Sequence, residues 1–409
     1  MSQAINEKTN PGLEGAKELE VHLEWLDTFT PAALGVLSTA SGIYTYLGVS
    51  TLLDNTGALS VVAAVAYSTA VSVGIFVFWS FLLKLMPAMR NVKGYFGLGL
   101  AAIIGSLAIV AMSSWLNATA LAGSAAVEQH LGKTITQYQK ALERANFIAV
   151  RAQSLQSDIE RSAKDFRNLA TQEKNGNLSG RSGAGAIYAV LMQKADELDA
   201  IRQVVDNKSA VIEETFQLGN KIITKMQTLK SGDGPVKIRS LKFSEESINL
   251  SGVITTLKQV SAAPLVFRAM GDLEKIIRPT LDGSTEATRE TQADVINQTE
   301  EKIQAVATTL RDAAKEIMDE EQPQDTTYTS ISSADAVIIY AANFYPQWAG
   351  AIAIDLLPAL LVFMLTITHV AIRDGRKGTN VEERMTLSEL KVAMEAIKHV
   401  EKSFDNKNN

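Results

Sequence analysis

The sequence predicts an all-α integral membrane protein, with four transmembrane helices and a long helical, coiled-coil-like extracytoplasmic insert between the third and the fourth. Three observations predict it. Four blocks, at 31–53, 59–86, 95–122 and 346–372, are almost free of charge and long enough to cross a hydrocarbon core as helices. Between the last two blocks lies a polar stretch, 124–345, that holds most of the charged side chains. That stretch opens on a seven-residue apolar repeat, with Tyr138, Ala145, Ala152, Ile159 and Phe166 on one position and Leu142, Ala149, Ala163 and Ala170 on the other, the seam of a coiled coil. No proline interrupts 95–174, so one helix is expected to begin in the membrane and continue out of it.

Averages hide this division. The 409 residues are 46% hydrophobic and 21% charged, as in many soluble proteins, but the average sums apolar blocks and one polar block. The formal net charge is −6, and no Lys/Arg run is long enough to track a phosphate backbone, so nucleic acid is not expected as a partner. The absence of cysteine excludes disulfides, thiolate zinc sites and thiol catalysis; an extracytoplasmic insert would be held by packing alone.

Residues 1–30, read as a cytoplasmic N-terminal segment, lack the basic start and short apolar core of a cleavable signal peptide. Within them 18–29 predicts a short amphipathic helix, with Leu19, Leu23 and Leu26 on one face and Trp25 and Phe29 beside it, lying at the headgroup level before Pro31 opens the first span. Residues 31–123 hold three spans. Lys84, Arg90 and Lys93 mark the second loop, and Arg373, Arg376 and Lys377 follow the fourth span, whereas the first loop at 54–57 has no basic residue. By the positive-inside rule both termini are cytoplasmic and the insert faces outward, an arrangement read as that of a bacterial inner membrane, with Trp115, Tyr345 and Trp348 at the outer aromatic belt. Gly97, Ala101 and Gly105 recur at four-residue spacing, which lets helices approach closely and leaves room for a homo-oligomer.

In the insert, 124–345, the glycine-rich run at 175–185 stops the first heptad segment. A second follows, with Leu191, Leu198, Val205, Ile212 and Met226 in one register and Ile187, Ile201, Ile222 and Leu229 in the other, until 231–235 ends it. Two such segments predict an antiparallel hairpin reaching about 65 Å from the bilayer. Lys194 and Lys208 also fall on the seam, where the coil is expected to open locally. Weak alternation at 236–243 predicts an extended piece, 244–277 a helix bent at Pro264, 278–283 a turn, and 284–320 a helix with Ile296, Ile303, Val306, Leu310 and Ile317 on its apolar face. After the fourth span, 346–372, residues 373–409 form a cytoplasmic tail. There Thr386 and Glu389 make a capping-box signature, and Leu390, Met394, Ile397 and Phe404 form an apolar stripe suited to a partner protein.

No catalytic, cofactor-binding or metal site is expected, and no enzyme. His22, His130, His369 and His399 lie in four separate regions, and no phosphate loop, His-Glu-x-x-His or Gly-x-Ser-x-Gly motif is present. Asp355 stands apart, because an acid in mid-span costs about 2.5–3.5 kcal/mol on insertion scales and usually marks a path or a partner. Pro358, three residues on, removes a helix hydrogen bond. The pair reads either as a proton- or ion-linked switch or as a buried carboxyl bonded to hydroxyls on a neighbouring span, with Ser68, Ser72 and Tyr67 the expected donors. The apolar run 356–365 after the acid resembles the span of ion-driven motor stator proteins, which also place one Asp before a hydrophobic run. Their span runs outward and this one inward, so their function does not carry over. The leading expectation is a non-enzymatic envelope protein whose helical stalk binds a partner or acts as a scaffold in the lipid bilayer. The alternatives are a membrane sensor and signal transducer, and an ion-coupled transport or energy-coupling subunit using Asp355.

Overall fold

The computed structural model describes residues 11–53, 57–89, 91–180, 182–275, 285–376 and 391–398. They are nearly all helical, and among them there is no strand, only an isolated bridge between Asn175 and Ser182. The helices are α1 (Pro11–Leu52), α2 (Ala58–Ala88), α3 (Val92–Ile109), α4 (Trp115–Lys174), α5 (Ala186–Ser231), α6 (Val236–Val260), α7 (Ala263–Leu273), α8 (Glu286–Met318), α9 (Ser333–Ile339) and α10 (Tyr345–Gly375). A π-helical turn, Val110–Ser114, joins α3 to α4, so that Val92–Lys174 is one continuous helix of 83 residues. Five helical stretches are long and apolar enough to cross a membrane: Gly15–Leu52, Ala58–Ala88, Val92–Lys174, Val236–Leu273 and Tyr345–Gly375. The chain divides into two units, Met1–Val127 with Ile331–Asn409, and Glu128–Ser330.

In the first unit α1, α2 and α10 pack on one another around Trp79, Ile75 and Leu82 of α2, Leu34 of α1 and Val362 of α10. Large apolar side chains cover its outside, among them Val61 and Phe81 on α2, Leu100, Ile103 and Leu107 on α3, and Phe363 and Ile367 on α10. Inside it are buried Ser38, Ser41, Thr45, Ser113, Ser114, Asn117 and Asp355. Apolar faces outward and polar groups inward suit hydrocarbon as the solvent. Pro31 does not open a helix as expected; it lies inside α1, which begins at Pro11. The reason is tertiary: Ala16 and Leu23 bury against Leu365 and Ile372 of α10, and Glu20 pairs with Arg376. Trp25 and Phe29 stack with ring centroids 5.0 Å apart and are exposed. Of the small residues on α3, Gly105 faces Phe78, while Gly97 has open space beside its Cα.

The second unit is a bundle. Gln153 of α4 reaches the Val205 carbonyl, Gln156 reaches Asp206 and Arg167 reaches Asp196, so α5 runs antiparallel to α4. Arg144 and Arg151 of α4 bind Glu320 and Glu316 at the far end of α8, which is antiparallel as well. The heptad positions are buried, Ile201 and Leu229 only partly, but α4, α5, α7 and α8 share one core, with Ile159 and Phe166 beside Leu191, Leu198, Val266, Met270, Ile303 and Leu310. A two-stranded hairpin is therefore corrected to a multi-helix bundle. Ala145, Ala149, Ala152, Ala163 and Ala170 are too small to fill a two-stranded seam, and they admit further helices. The seam lysines do not open the packing either. Lys208 donates to the Val260 carbonyl at 3.0 Å and Lys194 to the Lys275 carbonyl at 3.1 Å, completing the C-terminal ends of α6 and α7.

The piece expected to be extended, 236–243, is the start of α6. Phe243 is fully buried, and Arg239 donates to the Leu229 and Lys230 carbonyls at the end of α5 and to Glu128 at 2.6 Å, contacts that outweigh the weak alternation. The bend falls at Ser261 and Ala262, with Pro264 in the first turn of α7. The expected turn at 278–283 lies outside the described residues. Chain without regular secondary structure occurs at 321–332, a strap between α8 and α9. Arg144 binds the Glu321 carbonyl at 2.8 Å, Lys258 binds Asp325 at 3.0 Å, and the Tyr328 hydroxyl meets Ser240 at 2.6 Å with its ring edge-on to Phe243.

Candidate functional site

Asp355 is 1% exposed, in the part of α10 that packs on α1 and the π turn. Gly48 makes the close approach beside it possible, since a Cβ there would lie 2.3 Å from the Leu116 carbonyl oxygen of α4. Near these positions stand the polar residues: Ser41 and Thr45 on α1, Ser113 and Ser114 in the π turn, and Asn117 in the first turn of α4. The wider i→i+5 turn at Val110–Ser114 aims two successive serines at one partner, which a regular α-helix spreads apart. Oδ1 of Asp355 accepts from Ser41 at 2.9 Å and Ser113 at 3.1 Å, and Oδ2 from Ser114 at 2.8 Å. Ser41 and Ser113 meet at 2.8 Å, Asn117 donates to Ser113 at 3.2 Å, and Thr45 donates to Asn117 at 3.4 Å. All six side chains are buried.

The expected partners are thereby corrected. Ser68 donates to the Val65 carbonyl of its own helix and Ser72 to the Ser38 carbonyl, while the serines on Asp355 come from α1 and the π turn, the elements α10 packs against. Pro358 is buried within α10; the carbonyl its ring leaves without a helical donor is that of Ile354, which takes no bond in the cluster. The cluster does three things chemically. It gives a buried carboxyl acceptors and donors in place of water. It ties α1, the π turn, α4 and α10 together. It also tolerates either protonation state, because a hydroxyl both donates and accepts.

Ser41, Thr45, Ser113, Ser114 and Asn117 were not singled out from sequence. Their signal is polar residues at i, i+4 in otherwise apolar spans, Ser41 with Thr45 and Ser113 with Asn117. Of the tail stripe, Met394 and Ile397 lie exposed on the helical residues 391–398, while Leu390, Phe404, Thr386 and Glu389 fall outside the described residues. No group of three or more His, Cys, Asp or Glu able to hold a metal ion occurs among the described residues.

A second polar feature belongs to the bundle. A groove of about 760 Å³ runs between Gln137, Lys140 and Arg144 of α4 and the strap from Glu321 to Thr327. Among the described residues none of the backbone N–H groups from Gln324 to Ser330 donates a hydrogen bond.

The described residues are nearly all helical, and five of the helical stretches are long and apolar enough to cross a membrane. No protein-family model, no curated protein and no solved structure matches the chain.

Proposed function

We propose that the chain is a non-enzymatic, multi-pass protein of a bacterial inner membrane, with four spans and cytoplasmic termini, whose extracytoplasmic helical domain binds a protein partner or acts as a scaffold for one. The observation that carries this reading is the strap. Irregular, Thr-rich chain whose amides from Gln324 to Ser330 make no hydrogen bond, beside a polar groove, offers donors to the backbone of a partner, and no strand among the described residues covers it. Four spans are preferred to five because Val236–Leu273 carries Lys237, Arg239, Lys242, Glu245, Glu246 and Lys258, and its Arg239 is tied to Glu128 within the bundle. The exposed Met394 and Ile397 supply a cytoplasmic contact.

The test is position-specific photo-crosslinking in native membranes. A photoreactive residue in place of Thr327, on the groove, is expected to give a discrete protein adduct, and one in place of the exposed Val211 of α5 is not. Absence of any adduct from groove positions contradicts the partner reading.

A second reading, an ion-coupled transport or energy-coupling subunit, is favoured by one observation: the Asp355 cluster at a π turn, a feature frequent at functional sites. Substitution of Asp355 by asparagine separates the two.

A further inference from the structure

A groove of about 610 Å³ lies between α3 and α10, a volume in the range of small-ligand sites. Tyr95 and Phe96 of α3 face Ile367, Val370 and Ala371 of α10 across it, and Arg373 stands at its rim. The two arginines that end α10 differ in their partners. Arg376 pairs with Glu20, whereas Arg373 donates only to the Met89 carbonyl, at 3.4 Å, and meets no carboxylate among the described residues. Among the described residues no acidic side chain lines the groove. Lys93, in the first turn of α3, is exposed and joins no ion pair among the described residues.

We propose that this groove is a binding site for an anionic phospholipid, an acyl chain lying along Phe96, Ile367 and Val370 and the phosphate on the Arg373 guanidinium. The inference rests on α3 and α10 spanning the membrane. A guanidinium at the end of an apolar channel complements an amphiphile with one anionic head, and its planar fork takes two phosphate oxygens at once. A free phosphate has no use for the apolar walls. A phosphatidylcholine headgroup adds a quaternary amine, for which the lining offers no carboxylate. The surrounding leaflet supplies the ligand, and basic juxtamembrane side chains are attracted to anionic lipid even without a shaped groove.

The test uses the full chain in nanodiscs of phosphatidylcholine alone or with one fifth phosphatidylglycerol, read by native mass spectrometry of lipid retained on the protein and by the thermal unfolding midpoint. Phosphatidylglycerol is expected to be retained selectively and to raise the midpoint. Arg373→Gln is expected to cut the selective retention ~10-fold, the size of one charge-assisted contact, while leaving helicity intact, and Arg373→Lys to recover part of it. Equal retention of both lipids, or unchanged selectivity in Arg373→Gln, overturns the proposal. So does a midpoint raised equally by inorganic phosphate added to phosphatidylcholine nanodiscs, which would make the site a free-anion site. Failure of the membrane reading shows differently: the chain would stay soluble without detergent and enter no nanodisc.

Discussion

An asparagine at position 355 keeps one carbonyl acceptor and supplies an amide donor, so Ser41, Ser113 and Ser114 retain partners. Asp355→Asn is therefore expected to accumulate in membranes at wild-type yield and to preserve whatever phenotype deletion of the gene removes. An assembled but inactive protein would move the ion-coupled reading to first place, because only ionisation has been lost. Asp355→Leu leaves three buried hydroxyls without their acceptor, at about 1–3 kcal/mol each, and should lower membrane yield and the melting midpoint. In the bundle, burial alone would raise the Asp199 carboxyl, but hydrogen bonds and charge from Arg167 and Arg202 outweigh it and hold the group below its usual value of 3.8. A depressed carboxylate contributes stability above its unfolded value and loses it as pH falls through the folded one. Helicity followed by circular dichroism should thus begin to fall at a higher pH in Arg167→Gln than in the parent chain; coincident acid transitions would contradict this role. The acid itself was legible in the sequence because charge is conspicuous in an apolar span. Its partners were not, since a serine suits any helix face and a π turn shifts the phase on which a 3.6-residue pattern depends.

At the scale of elements, the seams and close approaches decide. Ile212 of α5 is 3% exposed on the heptad seam, and Ile212→Asp should destabilise the bundle by about 3–5 kcal/mol, the size for an unpaired buried charge, visible in thermal unfolding of the full chain. Indifference of the melting midpoint would mean that this seam is not packed. Gly48→Leu meets backbone at Leu116 and has no flexible side chain to displace, so it should part α1 from α4 and lower membrane yield. Heptad periodicity in the sequence located α4, α5 and α8 and their buried faces, because it is set by side chains within each helix. What it left open was the number of helices closing on each seam. That depends on residue size across elements, as the alanines of α4 show, and the helical start of α6 depends on Arg239 and Phe243 finding partners far away in the chain.

For the whole molecule, the account rests on a division between a unit that turns apolar side chains outward and a unit that buries them. On the proposed reading the first lies in hydrocarbon and the second in water. On the same proposed reading, the basic residues Lys84, Lys93, Arg373 and Arg376 mark the cytoplasmic side by the positive-inside rule, and the bundle is expected outside. Single cysteines can be introduced without background, since the chain has none. Asn177, in the loop between α4 and α5, and Glu395, in the tail, are both exposed. In intact cells, Asn177→Cys should react with a membrane-impermeant thiol reagent and Glu395→Cys should react only after the membrane is opened. Labelling of Glu395→Cys in intact cells with protection of Asn177→Cys would contradict the four-span, bundle-outside arrangement.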